Sequence, residues 1–295
     1  MLHRHTALRR IWSGLAVAVV TAAALGLVGP VAAAAPAIQP PGDLAPLTPG
    51  VLMLSPAEDG TATACTAGFV FSGAGATYLG YAAHCATPGA SMGLSGCAEP
   101  TLPIGNPVLI ERNDGTRSTG RLAYSSWVTM QERGETEPSL CFFNDFALVE
   151  VDPADRDAVD PSIPVLGGPT ALDTDGTVPG EPVYSYQPNN DGPAVKEGVS
   201  LGTGEDGLTH RVDTDPSGMP GDSGSGYVDG DGAAFGILST QFLDGRNTNG
   251  VTDLASALSY ANRFGDVEQV ALVPGRAQFT PPDGAEGFRL ARGAP

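Results

Sequence analysis

The sequence predicts an all-β protein made of short antiparallel strands, and three observations favour this class. Short runs of apolar, β-branched and aromatic residues recur along the chain, separated by clusters of Gly, Asp, Asn and Pro. With 40 Gly and 26 Pro in 295 residues, long helices have little room. Many short strands with turn residues between them are typical of antiparallel barrels or a sandwich. The predicted strands cover residues 66–71, 78–82, 108–110, 146–151, 183–186, 226–228 and 235–240.

One helix is predicted, over residues 254–264, after the last of these strands. Leu254, Leu258 and Ala261 recur there at a spacing that places them on one helix face. No internal repeat is visible, and the Pro- and Gly-rich stretch 161–182 is the best candidate for a linker.

The first 37 residues are typical of a secretory signal peptide. Arg4, Arg9 and Arg10 form a basic start, an apolar stretch follows over 14–28, and an alanine-rich segment then offers small-residue cleavage sites. A membrane anchor is the alternative, but the apolar run stops short of the roughly 20 residues that a span needs. We therefore expect a secreted, extracellular protein that has no membrane attachment once the signal is removed.

The strongly negative charge of the chain excludes negatively charged partners. Residues 1–37 contain three of the 15 basic residues and none of the 33 acidic ones, so the mature chain carries a formal charge of −21. Such a chain is repelled by nucleic acids and by anionic membrane surfaces. The acidic clusters at 152–157, 173–175 and 229–231 could bind calcium, but none has the twelve-residue ligand pattern of an EF-hand. We read them as solvated surface and expect neither a metal nor a cofactor.

Four cysteines remain after the signal segment, and an even number in an exported protein predicts disulfides. Three pairings are possible. We favour Cys65–Cys85, which would join the segment before His84 to the turn that carries it, together with Cys97–Cys141. Buried free thiols are the alternative, which export disfavours. Zinc binding is weaker still, because only two His remain in the mature chain and no Cys-x-x-Cys spacing occurs.

Three short segments hold the parts of a serine acyl-transfer site. They are Ala-Ala-His-Cys with His84, Asn-Asp-Phe-Ala-Leu with Asp145, and Gly-Asp-Ser-Gly-Ser with Ser223. A base, an orienting carboxylate and a nucleophile are the three groups this chemistry requires. A lone Ser in a glycine-rich turn is usually only a turn residue, so the combination carries the argument. The chain order His, Asp, Ser also differs from the Ser, Asp, His order of α/β-hydrolases.

These segments resemble the chymotrypsin-like (trypsin-fold) serine peptidases, in particular secreted actinobacterial members. The resemblance covers about residues 51–270 and includes Cys-Thr-Ala-Gly-Phe-Val ahead of the His motif. It implies two antiparallel six-stranded β-barrels with a C-terminal helix and an active site in the cleft between the barrels. The first barrel would cover 51–165, and the second, with the helix, 166–275. Residues 38–50 would then be a Pro-rich leader and 276–295 a flexible tail.

The resemblance also assigns roles. It implies a catalytic triad of His84, Asp145 and Ser223, and an oxyanion hole formed by the N–H groups of Gly221 and Ser223. Asp222 matches the Asp that pairs with a newly cut N-terminus in animal members of the family. No Lys or Arg lies between Arg10 and Arg112 to allow such a cut. We therefore expect Asp222 to have an internal partner such as an Arg.

Alignment from the nucleophile places a specificity pocket at Ser217, Ser239 and Gln241. An acid at position 217 would select Arg or Lys, but Ser does not supply one, and Gln241 would narrow the pocket. We expect a small or medium apolar residue on the acyl side of the cleaved bond. Asp213 and Asp215 keep a basic residue open as the alternative.

The sequence thus predicts a monomeric, secreted serine endopeptidase acting on protein or peptide substrates. Two alternatives remain open: a catalytically silent binding protein on the same fold, and an esterase-like serine hydrolase. His210, the second His of the mature chain, is expected on a strand or at the surface, with a place in the substrate cleft as the alternative.

Overall fold

The computed structural model describes residues 44–89, 95–242, 245 and 247–282. The signal segment, the start of the leader and the end of the tail lie outside these residues. The strands are β1 (Leu52–Pro56), β2 (Ala62–Thr66), β3 (Val70–Gly73), β4 (Ala76–Tyr81), β5 (Pro107–Glu111), β6 (Arg117–Ser125), β7 (Ala147–Val151), β8 (Pro182–Tyr186), β9 (Val195–Gly204), β10 (Thr209–Asp215), β11 (Gly226–Val228), β12 (Ala234–Phe242), β13 (Thr248–Asp253) and β14 (Ala271–Leu272). The α-helices are α1 (Ser126–Arg133), α2 (Pro138–Phe143) and α3 (Leu254–Phe264).

The strands form two antiparallel sheets, so the all-β prediction is confirmed. The second sheet is a closed six-stranded barrel in the order β10-β13-β12-β11-β8-β9. The first contains eight strands in the order β14-β3-β4-β7-β6-β5-β1-β2, rather than the six that were expected. The two extra strands have separate origins: the division of one bent segment into two strands, and the addition of a strand from beyond α3.

The bent segment is 62–73, which contains both β2 and β3 and therefore supplies strands at opposite sides of the first sheet. Its backbone changes partners at the bend, since the Ala67 N–H donates to Val51 and the Gly68 N–H to Gly80. A Cβ at Gly68 would collide with the carbonyl oxygen of Gly224, so only glycine permits this approach between the two sheets.

Each sheet encloses an apolar core. In the first, alternate residues are buried along β5 and most of β6, as the two-residue period of a strand requires, and four of the five residues of β7 are buried. In the second, a compact cluster fills the barrel. It comprises Val183, Val212, Tyr227, Phe235, Leu238 and Val251.

Helix α3 occupies the residues predicted for it, and Asp253 caps its first turn by accepting from the Ser256 N–H. Helices α1 and α2 were not predicted. Gly134 ends α1 in the left-handed region, and the Glu137 side chain caps α2 by accepting from the N–H groups of Ser139 and Leu140. Among the described residues, no helix has the length and apolarity to cross a membrane.

Parts of the leader and the tail pack against the barrels. Leu47 is fully buried and forms an isolated parallel bridge with Val159. At the other end, the Arg276 and Ala277 N–H groups both donate to Ser162 Oγ, and β14 pairs with β3. These contacts tie both ends of the described chain to the first sheet and to the connection that follows it.

Candidate active site

His84 lies in a short 3₁₀ turn, Ala83–Ala86, that directly follows β4. Its neighbours Ala82, Ala83 and Cys85 are completely buried, whereas the His84 side chain keeps 20% of its surface exposed. Small residues on both sides let the turn lie close against the core. The imidazole is therefore fixed at its base and open to solvent on one side.

Asp145 lies between α2 and β7 and is buried. Its Oδ1 accepts from the His84 backbone N–H at 2.9 Å, and its Oδ2 lies 2.7 Å from His84 Nδ1. Ser239 Oγ donates to the same Oδ2 at 2.6 Å. An ionised carboxylate only accepts hydrogen bonds, so Nδ1 carries the proton and Nε2 is left as the basic nitrogen.

The pKa values of the pair move in opposite directions. Burial lowers the pKa of His84, but the charge and hydrogen bond of Asp145 outweigh it and hold this pKa above its usual range. Burial likewise raises the pKa of Asp145, and the His84 charge, together with the bonds from His84 and Ser239, brings it below the usual value. Each partner thus stabilises the charged form of the other, the imidazolium of His84 and the carboxylate of Asp145.

Ser223 is half-buried in the turn that precedes β11, and contacts with the first sheet fix its backbone. The Thr66 N–H donates to the Ser223 carbonyl at 2.9 Å. The preceding residue, Cys65, forms a disulfide with Cys85, and its sulfur lies within 4.8 Å of a ring nitrogen of His84. The structure therefore joins His84 and Asp145 directly, and links Ser223 to the His84 turn through Thr66 and the Cys65–Cys85 disulfide.

The turn leaves two backbone donors available. The N–H groups of Asp222, Gly224 and Ser225 all donate to backbone carbonyls. Those of Gly221 and Ser223 have no acceptor among the described residues. Gly221 adopts φ +100°, a conformation that favours glycine. Backbone N–H groups that have no acceptor in the protein can hold a negatively charged oxygen.

Asp222 is fully buried, and its partners are amides. Asn190 Nδ2 donates to its Oδ1 at 2.8 Å, and the Met219 N–H donates to its Oδ2 at 3.1 Å. Asp222 thus has the internal partner that was expected, but that partner is an amide and not an arginine. Burial raises the pKa of Asp222, and the Asn190 and Met219 bonds and the charge of Lys196 oppose that rise.

Lys196, on β9, is the only lysine of the chain and is 1% exposed. Burial lowers its pKa, and the charge of Asp222 opposes this shift. No described residue lies within ion-pair distance of its ammonium group. Lys196 and Asp222 therefore stabilise each other's charged form by a longer-range electrostatic attraction.

One side chain, that of Asn249, hydrogen-bonds to both segments that are expected to form the specificity pocket. Asn249 Oδ1 accepts from the Gly218 N–H at 2.8 Å, and Asn249 Nδ2 donates to the carbonyls of Gly218 and Thr240 at 3.0 and 3.2 Å. Ser217 and Gln241, which adjoin these residues, are both half-buried. Ser239 instead turns its hydroxyl to Asp145.

Two other constellations resemble functional sites. Cys65, His84 and Cys85 have the spacing of metal ligands, but the two sulfurs are joined in a disulfide and cannot act as thiolate ligands. His210 lies fully buried on β10, with Nε2 2.9 Å from Asp253 Oδ2 and Nδ1 2.9 Å from Thr177 Oγ1. With no exposed surface it cannot meet a substrate, so its place is the barrel interior and not the cleft.

The structure also joins the cysteines in the two favoured pairs, Cys65–Cys85 and Cys97–Cys141. The second pair links the segment before β5 to α2. Sequence reasoning missed Thr66, Asn190 and Asn249 as site residues and did not foresee the role of the Ser239 hydroxyl. Their partners lie 9 to 155 residues away, and no local pattern announces such contacts.

Comparisons with known proteins agree with this architecture. No protein-family model matches the sequence, and no curated protein matches it. Among solved structures, protease A of Thermobifida fusca aligns with a TM-score of 0.50 and 16% identity, covering 78% of this chain and 99% of that chain. The chain has the chymotrypsin-like serine protease fold. Nocardiopsis protease (16% identity, TM-score 0.44) and Cellulomonas bogoriensis chymotrypsin (15%, 0.42) each cover 77% of this chain, and 98% of their own chains is covered. At 16% identity, the likeness to protease A of Thermobifida fusca establishes the fold alone.

Proposed function

We propose that this protein is a secreted serine endopeptidase that uses His84, Asp145 and Ser223. The observation that carries the proposal is the His84–Asp145 pair, in which a buried carboxylate bonds both the ring and the backbone of a partly exposed histidine. This arrangement leaves Nε2 as the base of a ring whose side chain keeps 20% of its surface exposed. A base oriented by a carboxylate is what activation of a serine hydroxyl requires.

The proposed reaction has two halves. Ser223 Oγ attacks the peptide carbonyl while His84 Nε2 takes the hydroxyl proton, giving a tetrahedral intermediate. The C–N bond then breaks, and the leaving amine takes that proton from His84. In the second half, water gives a proton to His84 and its oxygen attacks the acyl carbon. The Ser223–acyl bond breaks and the proton returns to Ser223, so the enzyme is regenerated.

Two features support stabilisation of the charges that develop. Asp145 offsets the positive charge on His84 at each proton transfer. The free N–H groups of Gly221 and Ser223 suit the oxygen of the tetrahedral intermediate, and losing one such donor typically costs about 10²–10³ in turnover.

A peptide is the substrate class that the sheet edge favours. Strand β12 pairs with β13 through Thr240, Gln241 and Phe242, but β11 reaches only as far as Ile237. No described strand pairs with the other edge of 239–242. An extended peptide can add to such an edge through main-chain hydrogen bonds.

At the specificity pocket we propose a small or medium apolar residue on the acyl side of the cleaved bond. Ser217 supplies no charge, and Gln241 takes up space. A peptide library tests this point. Cleavage mainly after Arg or Lys would overturn it and bring Asp213 and Asp215 forward as the selecting acids.

The central test is a serine-directed peptidyl phosphonate, with the adduct located by mass spectrometry. We expect one adduct on Ser223 in the wild type and none in Ser223→Ala, with casein digestion lost in parallel. Folded wild type without an adduct would favour a silent binding protein. An adduct with ester turnover but no casein or peptide cleavage would favour an esterase.

Export and a monomeric state complete the proposal. Two disulfides support an oxidising compartment, and the basic-apolar-alanine pattern of residues 1–37 supports a signal peptide. Sequencing the N-terminus of protein from the culture medium tests export, and sedimentation of that protein tests the monomer. Protein found only inside cells with its first 37 residues intact would contradict the export proposal.

A further inference from the structure

Asn190, in the connection between β8 and β9, bonds both sides of Gly221. Its Nδ2 donates to the Pro220 carbonyl at 3.3 Å and to Asp222 Oδ1 at 2.8 Å. A Cβ built on Gly221 would lie 3.4 Å from the same nitrogen. The Asn190 amide therefore sits directly against the glycine whose N–H is free.

The geometry of the peptide unit gives this contact a consequence. The Pro220 carbonyl and the Gly221 N–H belong to one peptide group, which is trans. In a trans peptide these two bonds are coplanar and point in opposite directions. A hydrogen bond that draws the Pro220 oxygen towards Asn190 therefore turns the Gly221 N–H away from Asn190.

The next peptide group is fixed from the opposite sheet. Thr66 Oγ1 donates to the Gly221 carbonyl at 2.9 Å, and Asn189 Nδ2 donates to Thr66 Oγ1 at 2.8 Å. Asn189 Nδ2 also donates to the Gly50 carbonyl at 3.0 Å. Side-chain donors thus engage the carbonyls on both sides of Gly221, a residue whose backbone would otherwise rotate with little resistance.

We infer that Asn190 is a positioning residue that sets the direction of the Gly221 N–H, and so makes it a donor to the oxyanion of the substrate. The inference rests on the proposed peptidase function. Asn190 itself does not touch the reacting atoms. Its side-chain amide has two roles in the loop. It holds the Pro220 carbonyl, which must point away from the oxyanion, and it donates to the buried carboxylate of Asp222.

The test compares Asn190→Leu with Asn106→Leu in the full-length protein as exported. Asn106 is a matched control, since its Nδ2 also donates to two carbonyls, Pro56 at 3.0 Å and Pro107 at 3.1 Å, within the first sheet. Asn190→Ala is carried in parallel, because its smaller side chain fits wherever asparagine does. Asn190→Gln keeps the amide donor. Each variant is measured for kcat, KM, thermal midpoint and affinity for a peptide boronate.

We expect Asn190→Leu to lower kcat by at least about 10-fold, approaching the 10²–10³ of a lost donor, with KM within about threefold of wild type. Boronate affinity should fall by a similar factor, since its tetrahedral hydroxyl occupies the oxyanion position. Asn190→Gln should recover part of the loss. Asn106→Leu should keep kcat and boronate affinity while losing comparable thermal stability.

Equal kcat in the Asn190 and Asn106 variants, with active wild type, would overturn the inference and leave the proposed function standing. The inference would also be overturned if, across all variants, the losses of kcat and boronate affinity simply followed the loss of thermal midpoint. Such a correlation would show that Asn190 has only a structural role. Wild type that forms no Ser223 adduct and turns over no substrate would overturn the proposed function, and the inference with it.

Discussion

Ser239 Oγ donates a 2.6 Å hydrogen bond to Asp145 Oδ2, although 94 residues separate the two in sequence. The preceding residue, Leu238, makes two backbone hydrogen bonds to the turn that carries Ser223. The Gly224 N–H donates to the Leu238 carbonyl, and the Leu238 N–H donates to the Ser225 carbonyl. Strand β12 therefore connects the acid of the proposed triad with the turn that carries its nucleophile.

The first prediction concerns this hydroxyl. Ser239→Ala should lower kcat/KM by about 10-fold, because a hydrogen bond to a charged group is worth about 1.5–3 kcal/mol and part of it supports the His84 imidazolium. Steady-state kinetics on a peptide ester measure the effect. Ser239→Thr, which keeps the hydroxyl, is the control, and wild-type kinetics in Ser239→Ala would show that Asp145 needs no second donor.

The second prediction is a pH dependence. Catalysis needs neutral His84, whose pKa is raised above its usual value mainly by the charge of Asp145. The acid limb of the kcat/KM profile should therefore lie above about pH 6.5 in the wild type. Asp145→Asn should lower kcat by about 10⁴-fold and move that limb to lower pH. A limb at the same pH in both proteins would assign it to another group.

The same pair predicts how stability changes with pH. The folded state raises the pKa of His84, so its contribution is present below the unfolded pKa and is lost as pH rises through the folded pKa. The pKa of Asp145 is lowered in the folded state, so its contribution to stability is lost at acid pH, as pH falls through the folded-state pKa. Urea unfolding of wild type and Asp145→Asn across pH 3–9 should show both losses in the wild type alone.

The third prediction separates the two disulfides. Replacing Cys97 and Cys141 by Ala should cost about 4 kcal/mol, and replacing Cys65 and Cys85 about 3 kcal/mol, because their loops of 44 and 20 residues differ in closure entropy. Only the second change should also lower kcat severalfold, since that bridge adjoins both Thr66 and His84. Denaturant unfolding and initial rates measure the two effects, and an equal loss of rate in both variants would contradict the assignment.

The fourth prediction contrasts the two histidines of the mature chain. His210→Ala should destabilise the fold by about 2–4 kcal/mol, because it leaves Asp253 and Thr177 with unmet hydrogen bonds inside the barrel. The folded fraction should keep the wild-type kcat. His84→Ala should instead abolish turnover, and its cost in stability should be smaller, because Asp145 keeps the bonds from Ser239 Oγ and the backbone N–H of residue 84. Thermal melts with active-site titration measure both, and reduced kcat per titrated site in His210→Ala would count against a purely structural role.

Sequence reasoning succeeded where the signal is local. The spacing of Leu254, Leu258 and Ala261 sufficed for α3, because one apolar face determines a surface helix. Helix α1 escaped prediction because its start, Ser-Trp-Val-Thr, is equally typical of a strand. Helix α2 is six residues long and depends on the Glu137 cap and its disulfide, which no periodicity reveals.

The limits of prediction at the site have the same origin. Short motifs point to His84, Asp145 and Ser223, since each motif is contiguous. Asn190 lies in Pro-Asn-Asn-Asp-Gly, which indicates a turn and nothing more. Its partner Asp222 is 32 residues away, and the chemistry of a buried carboxylate admits an amide as readily as the guanidinium that was expected. Only folded geometry selects between them.

The burial of Lys196 has a practical consequence for handling the protein. It is the only lysine, so the folded chain presents no lysine ammonium group at its surface, and every positive side chain there comes from arginine or histidine. Succinimidyl esters and aldehyde fixatives, which attack free amines, will find only the N-terminal amine. Coupling through that amine will give a uniform, single-point attachment, and appearance of a second reactive amine will report the opening of the second barrel.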